Sequence, residues 1–112
     1  MSLEIREDRR ETGLLLSPVG RIDSNTSGEL ERALLAKGAE PRLVVDLSDV
    51  EYVSSAGLRV FLMLARKVKA ADGRLALCAL PPSVRQVFDL AGFTALFTVE
   101  SSPDQAFERL SS

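Results

Sequence analysis

Two adjacent hydroxyls, Ser54 and Ser55, lie in YVSSAGLRVF (residues 52–61), where an apolar strand-like run passes into a helix-like one. Three chemistries suit a serine in that setting. It caps a helix by accepting a hydrogen bond from one of the first free amides, an interaction worth about 1 kcal/mol. It attacks an electrophile when a base removes its proton. It also accepts a phosphate, which the free N–H groups and the positive dipole end of a helix N-terminus accommodate. Capping needs only one of the two serines.

The nucleophile reading fails on composition. The chain contains no histidine, so a Ser-His-Asp triad, a histidine-based metal site and histidine acid–base chemistry are excluded. SSAG also lacks the GxSxG elbow that exposes a hydrolase serine. The single cysteine, Cys78, ends an apolar segment and reads as a small core residue rather than a catalytic thiol. Neither GxGxxG nor GxxxxGK[ST] occurs, and no cofactor is called for. Capping and phosphorylation remain, and they are compatible. A phosphoserine brings about −1.5 to −2 charges, and Arg59, four residues after Ser55, shares its helix face. A surface would turn anionic while the fold stayed intact, which is how a binding switch works.

The chain that must position these residues has 112 amino acids, 46% apolar and 27% charged, as in an ordinary globular domain. We read residues 1–112 as one domain. No apolar run approaches a membrane span, and MSLEIREDRR lacks the form of a signal peptide. The expectation is a cytoplasmic protein without membrane insertion, and one cysteine agrees with a reducing compartment. A net charge of −2 and few aromatics argue against direct nucleic-acid binding. The basic stretch LARKVKAADGR reads as the solvated face of a helix.

Strand patterns occur at 3–9, 14–22, 42–47, 74–80 and 95–99, with Pro18 marking the second as an edge or a bulge. Helix patterns lie between and after them. The first follows DSNTSGEL, where Thr26 and Glu29 have capping-box spacing. The second starts at Ser54 or Ser55, carries Leu58, Phe61, Leu62, Ala65 and Val68 on one face, and stops before Asp72-Gly73. The third follows Pro81-Pro82-Ser83, and FDLAGF (88–93) within and after it reads as core and turn. The fourth has Ser102 as N-cap, Pro103 at the first helical position and Gln105 completing a capping box. The expected fold is α/β in the order β-β-α-β-α-β-α-β-α, with parallel pairs from the crossovers and an antiparallel opening hairpin.

Three blocks, VGRIDSNTSGELERAL, LVVDLSDVEYVSSAGLRVFLMLARKVKAADGRLALCAL and PPSVRQVFDLAGF, resemble the STAS domain of bacterial anti-anti-sigma factors. The resemblance runs from about residue 3 to residue 110. It implies a mixed sheet of about five strands with four helices packed largely on one side. It also implies an anti-sigma factor antagonist. The unphosphorylated form of such a protein binds an anti-sigma factor that is itself a serine kinase, and so frees the sigma factor. Phosphorylation with ATP ends binding, and a phosphatase resets the cycle. By the resemblance Ser55 is the phosphoacceptor in the pattern Asp-Ser-(Ser/Thr)-Gly-Leu, with Ser54 in place of the aspartate and Ala56 in place of the second hydroxyl. By the resemblance the loop Asp23, Ser24, Asn25 and Thr26 corresponds to a segment bordering the phosphosite and the partner surface, although an Asx turn and helix capping explain it equally well. The expected partner-binding set is Asp23 to Thr26 with Ser54, Ser55, Ala56, Gly57, Leu58 and Arg59, on a monomer or weak dimer. Two alternatives stand beside this one: a STAS subunit binding the ATPase of an ABC-type lipid transport complex, and a scaffold subunit of a stress-sensing assembly.

Overall fold

The computed structural model of the protein describes residues 3–111. Its elements are β1 (Glu4–Arg10), β2 (Gly13–Ile22), α1 (Ser27–Leu35), β3 (Arg42–Asp46), β4 (Val50–Val53), α2 (Ser55–Ala70), β5 (Arg74–Cys78), α3 (Pro82–Leu90), β6 (Thr98–Glu100) and α4 (Pro103–Ser111). β1 and β2 form an antiparallel hairpin, and every other strand pair is parallel. The sheet order is β1-β2-β3-β5-β6, with β4 also paired to β2. The mixed sheet and its opening hairpin match the expectation from sequence.

Alternation along the strands divides the core into two layers. Leu14, Leu16, Leu43, Val45 and Leu77 point to one face, where α1, α2 and α3 bury Leu30, Leu34, Phe61, Leu64, Val84 and Phe88 against them. Leu15, Val44, Ala76 and Cys78 point to the other face, which α4 covers with Ala106, Phe107 and Leu110. Helices therefore lie largely on one side. Cys78 is fully buried between the sheet and α4, and burial pushes its thiol up to about 12. Its core role is as expected.

Three details depart from the sequence reading. There are six strands rather than about five, because residues 50–53 form β4, a stretch to which the sequence patterns assign no strand. The inward Val50 and Val53 flank two exposed residues, so the segment carries no period-two signal. β4 continues in the direction of β3 along the same edge of β2. Leu14 to Leu16 pair with Leu43 to Val45, and Gly20 to Ile22 pair with residues 50–53. The intervening loop is held by Val50 N–H donating to the Leu47 carbonyl and Gly20 N–H to that of Asp49, both at 3.0 Å. Pro18 is the second departure, since it lies in an interior strand. Its position falls between the stretch of β2 that pairs with β3 and the stretch that pairs with β4. No parallel ladder there requires its missing N–H. Finally, the last strand begins at Thr98 rather than residue 95. Phe93 and Phe97 instead turn onto Phe88, with ring centroids 6.3 and 6.1 Å away. FDLAGF thus supplies core and turn as expected, with Gly92 at φ +74° after α3.

Candidate functional site

The parallel pairing of β2 with β4 decides where the two polar loops meet. Ile22 and Val53 are in register, so Asp23 and Ser54, the residues that follow, leave the same end of the sheet side by side. The Ser54 amide donates to the Ile22 carbonyl at 2.8 Å, which ties the two turns together. Carboxyl ends of parallel strands are where α/β proteins commonly present their loops to partners and ligands.

In the first turn, the side-chain oxygens of Asp23 and Thr26 are engaged by the backbone. Asp23 Oδ1 accepts from the amides of Asn25 (2.9 Å) and Thr26 (3.2 Å), an Asx turn. Thr26 is only 6% exposed; its hydroxyl donates to the Arg21 carbonyl at 2.8 Å and accepts from the Asp23 amide at 3.0 Å. The capping box expected of Thr26 and Glu29 does not form. The Thr26 hydroxyl looks back into the turn rather than along α1, and Glu29 accepts from the Leu3 amide at 3.1 Å. Ser24 and Asn25 are exposed at the tip.

In the second turn, the two serines differ in their hydrogen bonding. Ser54 is the N-cap of α2, in extended backbone (φ −89°, ψ 174°), and its hydroxyl accepts from the Gly57 amide at 3.4 Å. That distance is long, so the cap is weak. Ser55 occupies the first helical position, exposed, and its hydroxyl has no hydrogen-bond partner among the described residues. The amides of Ser55 and Ala56 also lack an acceptor among those residues, and the first turn of α2 carries no acidic side chain. The end of the helix thus presents free N–H groups and an uncompensated dipole beside a free hydroxyl. Arg59, one turn further on, is exposed and also without an ionic partner among the described residues.

Not every residue of the expected set reaches the surface. Gly57 is buried, and a Cβ there would sit 2.4 Å from Ile22 Cγ2, so its role is to let α2 approach β2. Leu58 is 7% exposed and belongs to the core. Thr26, Gly57 and Leu58 support the surface, while Ser24, Asn25, Ser55 and Arg59 form it, edged by the half-buried Asp23, Ser54 and Ala56. The structure adds one pair unseen in the sequence reading. Arg21 and Tyr52 face each other across β2 and β4, with the guanidinium 4.6 Å from the ring centroid and Tyr52 41% exposed. They alternate with the inward Ile22 and Val53 and so lie on the sheet face opposite α2. Recognising residues 50–53 as a strand is the signal that would have exposed this pair.

Residues 2–106 match the family model for the STAS domain. The chain belongs to the STAS domain family. A protein of Bordetella bronchiseptica provisionally designated the anti-sigma factor antagonist BtrV is 37% identical over 106 residues, covering 93% of this chain and 91% of the relative. The anti-sigma F factor antagonist of Paenibacillus polymyxa is 23% identical over 114 residues, covering 98% and 97%. Among solved structures, an anti-sigma factor antagonist from Mycobacterium paratuberculosis superposes with a TM-score of 0.89 at 27% identity, covering 98% of this chain and 95% of that one. The likeness extends over nearly the whole STAS domain, so the two loops at the carboxyl end of β2 and β4 fall inside it. Among the described residues no helix is long and apolar enough to cross a membrane, and no cluster of candidate metal ligands occurs.

Proposed function

We propose that this STAS domain is an anti-sigma factor antagonist switched at Ser55. Unphosphorylated, it binds an anti-sigma factor that is also a serine kinase and so releases the sigma factor; phosphorylation of Ser55 ends the capture, and a phosphatase restores it. The observation that carries this reading is the division of labour at the start of α2. Ser54 caps the helix, whereas Ser55 is exposed with a hydroxyl that nothing in the fold uses. A phosphate on Ser55 Oγ therefore breaks no hydrogen bond and lies against free helix amides. The names borne by the relatives support the same partner class. Docking residues are Asp23 to Asn25, Ser54 to Ala56 and Arg59, held in place by Thr26, Gly57 and Leu58. Ser54 stands where the resemblance places an aspartate, so the kinase must accept a substrate without that charge beside the acceptor.

The test uses ATP and the candidate anti-sigma factor kinase encoded in the same genome. Wild type should gain the mass of one phosphate and lose affinity; Ser55→Ala should bind and gain nothing. A phosphate retained by Ser55→Ala would place the acceptor elsewhere.

A further inference from the structure

The basic stretch that reads as a solvated helix face acquires a geometry in the structure. α2 carries four cations, Arg59, Arg66, Lys67 and Lys69, and no acidic residue over its sixteen positions, in a chain whose net charge is −2. Lys67 is committed to the fold. Its Nζ donates to the Leu35 carbonyl at 2.7 Å, and its stem packs on Gly38. Arg59, Arg66 and Lys69 are exposed and have no ionic or hydrogen-bonded partner among the described residues. With Ser55 and the half-buried Leu62 they occupy positions i, i+4, i+7, i+11 and i+14, a single helical stripe about 21 Å long at 1.5 Å per residue. The candidate phosphoserine heads the stripe. The helix dipole accounts for a cation at Lys69 in the last turn but gives no reason for Arg59 or Arg66.

We infer that this stripe is the docking track for an acidic surface of the anti-sigma factor, a reading that rests on the proposed function. The sign of the switch supports it. Phosphorylation adds about −1.5 to −2 charges at one end of a stripe carrying three unpaired cations. An acidic partner then loses attraction and meets like charge; a basic partner would be bound more tightly, the opposite of release. The free cations and the direction of the switch therefore call for the same partner sign. The contact is polar with one apolar point at Leu62, so its main effect is on association rate and selectivity.

The experiment measures association of wild type, Arg66→Glu/Lys69→Glu and Arg66→Gln/Lys69→Gln with that anti-sigma factor across a salt series, with circular dichroism to verify folding. The neutral variant guards against a charge reversal that disturbs the helix. We expect the wild-type association rate to fall steeply with salt. At low salt the Glu variant should associate about tenfold more slowly with a flattened salt dependence, and the Gln variant should lie between. Wild-type binding that neither variant alters overturns this inference and leaves the Ser55 switch standing. No binding by wild type overturns the antagonist reading and this inference together. Salt-sensitive binding of wild type, but not of the Glu variant, to vesicles of anionic phosphatidylglycerol, with anti-sigma binding unchanged, would assign the stripe to a lipid surface and overturn it too.

Discussion

Two strand-to-helix turns lie side by side at the carboxyl end of β2 and β4, and they use their polar side chains in opposite ways. In the turn before α1, Asp23 and Thr26 direct their oxygens into the backbone, and Thr26 is nearly sealed from water. In the turn before α2, one weak cap from Ser54 suffices, and Ser55 is exposed with its hydroxyl unbonded among the described residues. Asp23 and Thr26 cannot give up their oxygens without losing the structure of the first turn, although Ser24 is exposed at its tip. Ser55 makes no such contribution to the second turn among the described residues. A modifiable group can be added and removed only where the fold does not depend on it, which is why the proposed switch is placed at Ser55 and the rigid neighbour is proposed as the fixed part of the docking surface.

Substitutions should separate the supporting residues from the exposed ones. The largest effect is expected for Gly57→Ala, which drives a methyl to within 2.4 Å of the buried Ile22 side chain and 3.2 Å of Val53. Overpacking of this kind costs about 2–3 kcal/mol. Urea denaturation should show that loss, and the displaced start of α2 should weaken partner binding as well. A Gly57→Ala protein as stable as wild type would mean the helix rides easily away from β2. Next comes Thr26→Ala, which removes one donated and one accepted hydrogen bond from a buried site. A loss of about 2 kcal/mol is expected by the same measurement, because the Arg21 carbonyl and the Asp23 amide both lose this partner. The smallest and most informative contrast is between the serines. Ser54→Ala should cost about 0.5–1 kcal/mol, at the low end for a cap because the bond is long. Ser55→Ala should stay within about 0.5 kcal/mol of wild type yet abolish phosphorylation. Equal costs at both positions would erase the distinction between the two turns.

The fold was readable wherever local periodicity agreed with the tertiary environment. α2 shows this in part: Leu58, Phe61 and Val68 recur at helical spacing and are buried against the sheet, whereas Leu62 and Ala65, read on the same face, are only half-buried and Val60 and Leu64 are buried instead. β3 and β5 appear as short apolar runs because both faces are covered. β4 has no strand signature because four residues with an in-out-out-in burial pattern lack the period of two. Its pairing depends on β2, some thirty residues earlier in the chain. Thr26 and Glu29 had the spacing of a capping box, but spacing does not fix where a hydroxyl points. The Thr26 hydroxyl is instead taken by the Arg21 carbonyl and the Asp23 amide, and the Glu29 carboxylate by the Leu3 amide. At the candidate site, the serine pair and the polar loop were both legible as residue types with a reason to be there. Their adjacency was expected only from the resemblance, not from the residue pattern, since it follows from the register of Ile22 with Val53.

The sequence by itself determined that no histidine chemistry operates, that a helix begins at the serine pair, and that the chain alternates strands and helices around an apolar core. Those properties are carried by composition and by spacing within ten or so residues. Only the tertiary structure decided which serine caps and which is free, that Gly57 and Leu58 are support rather than surface, and that three cations of α2 form one unpaired stripe headed by Ser55. Each of these depends on the way side chains distant in sequence meet across a sheet, and hydrogen bonding and burial are settled there by what lies opposite in space.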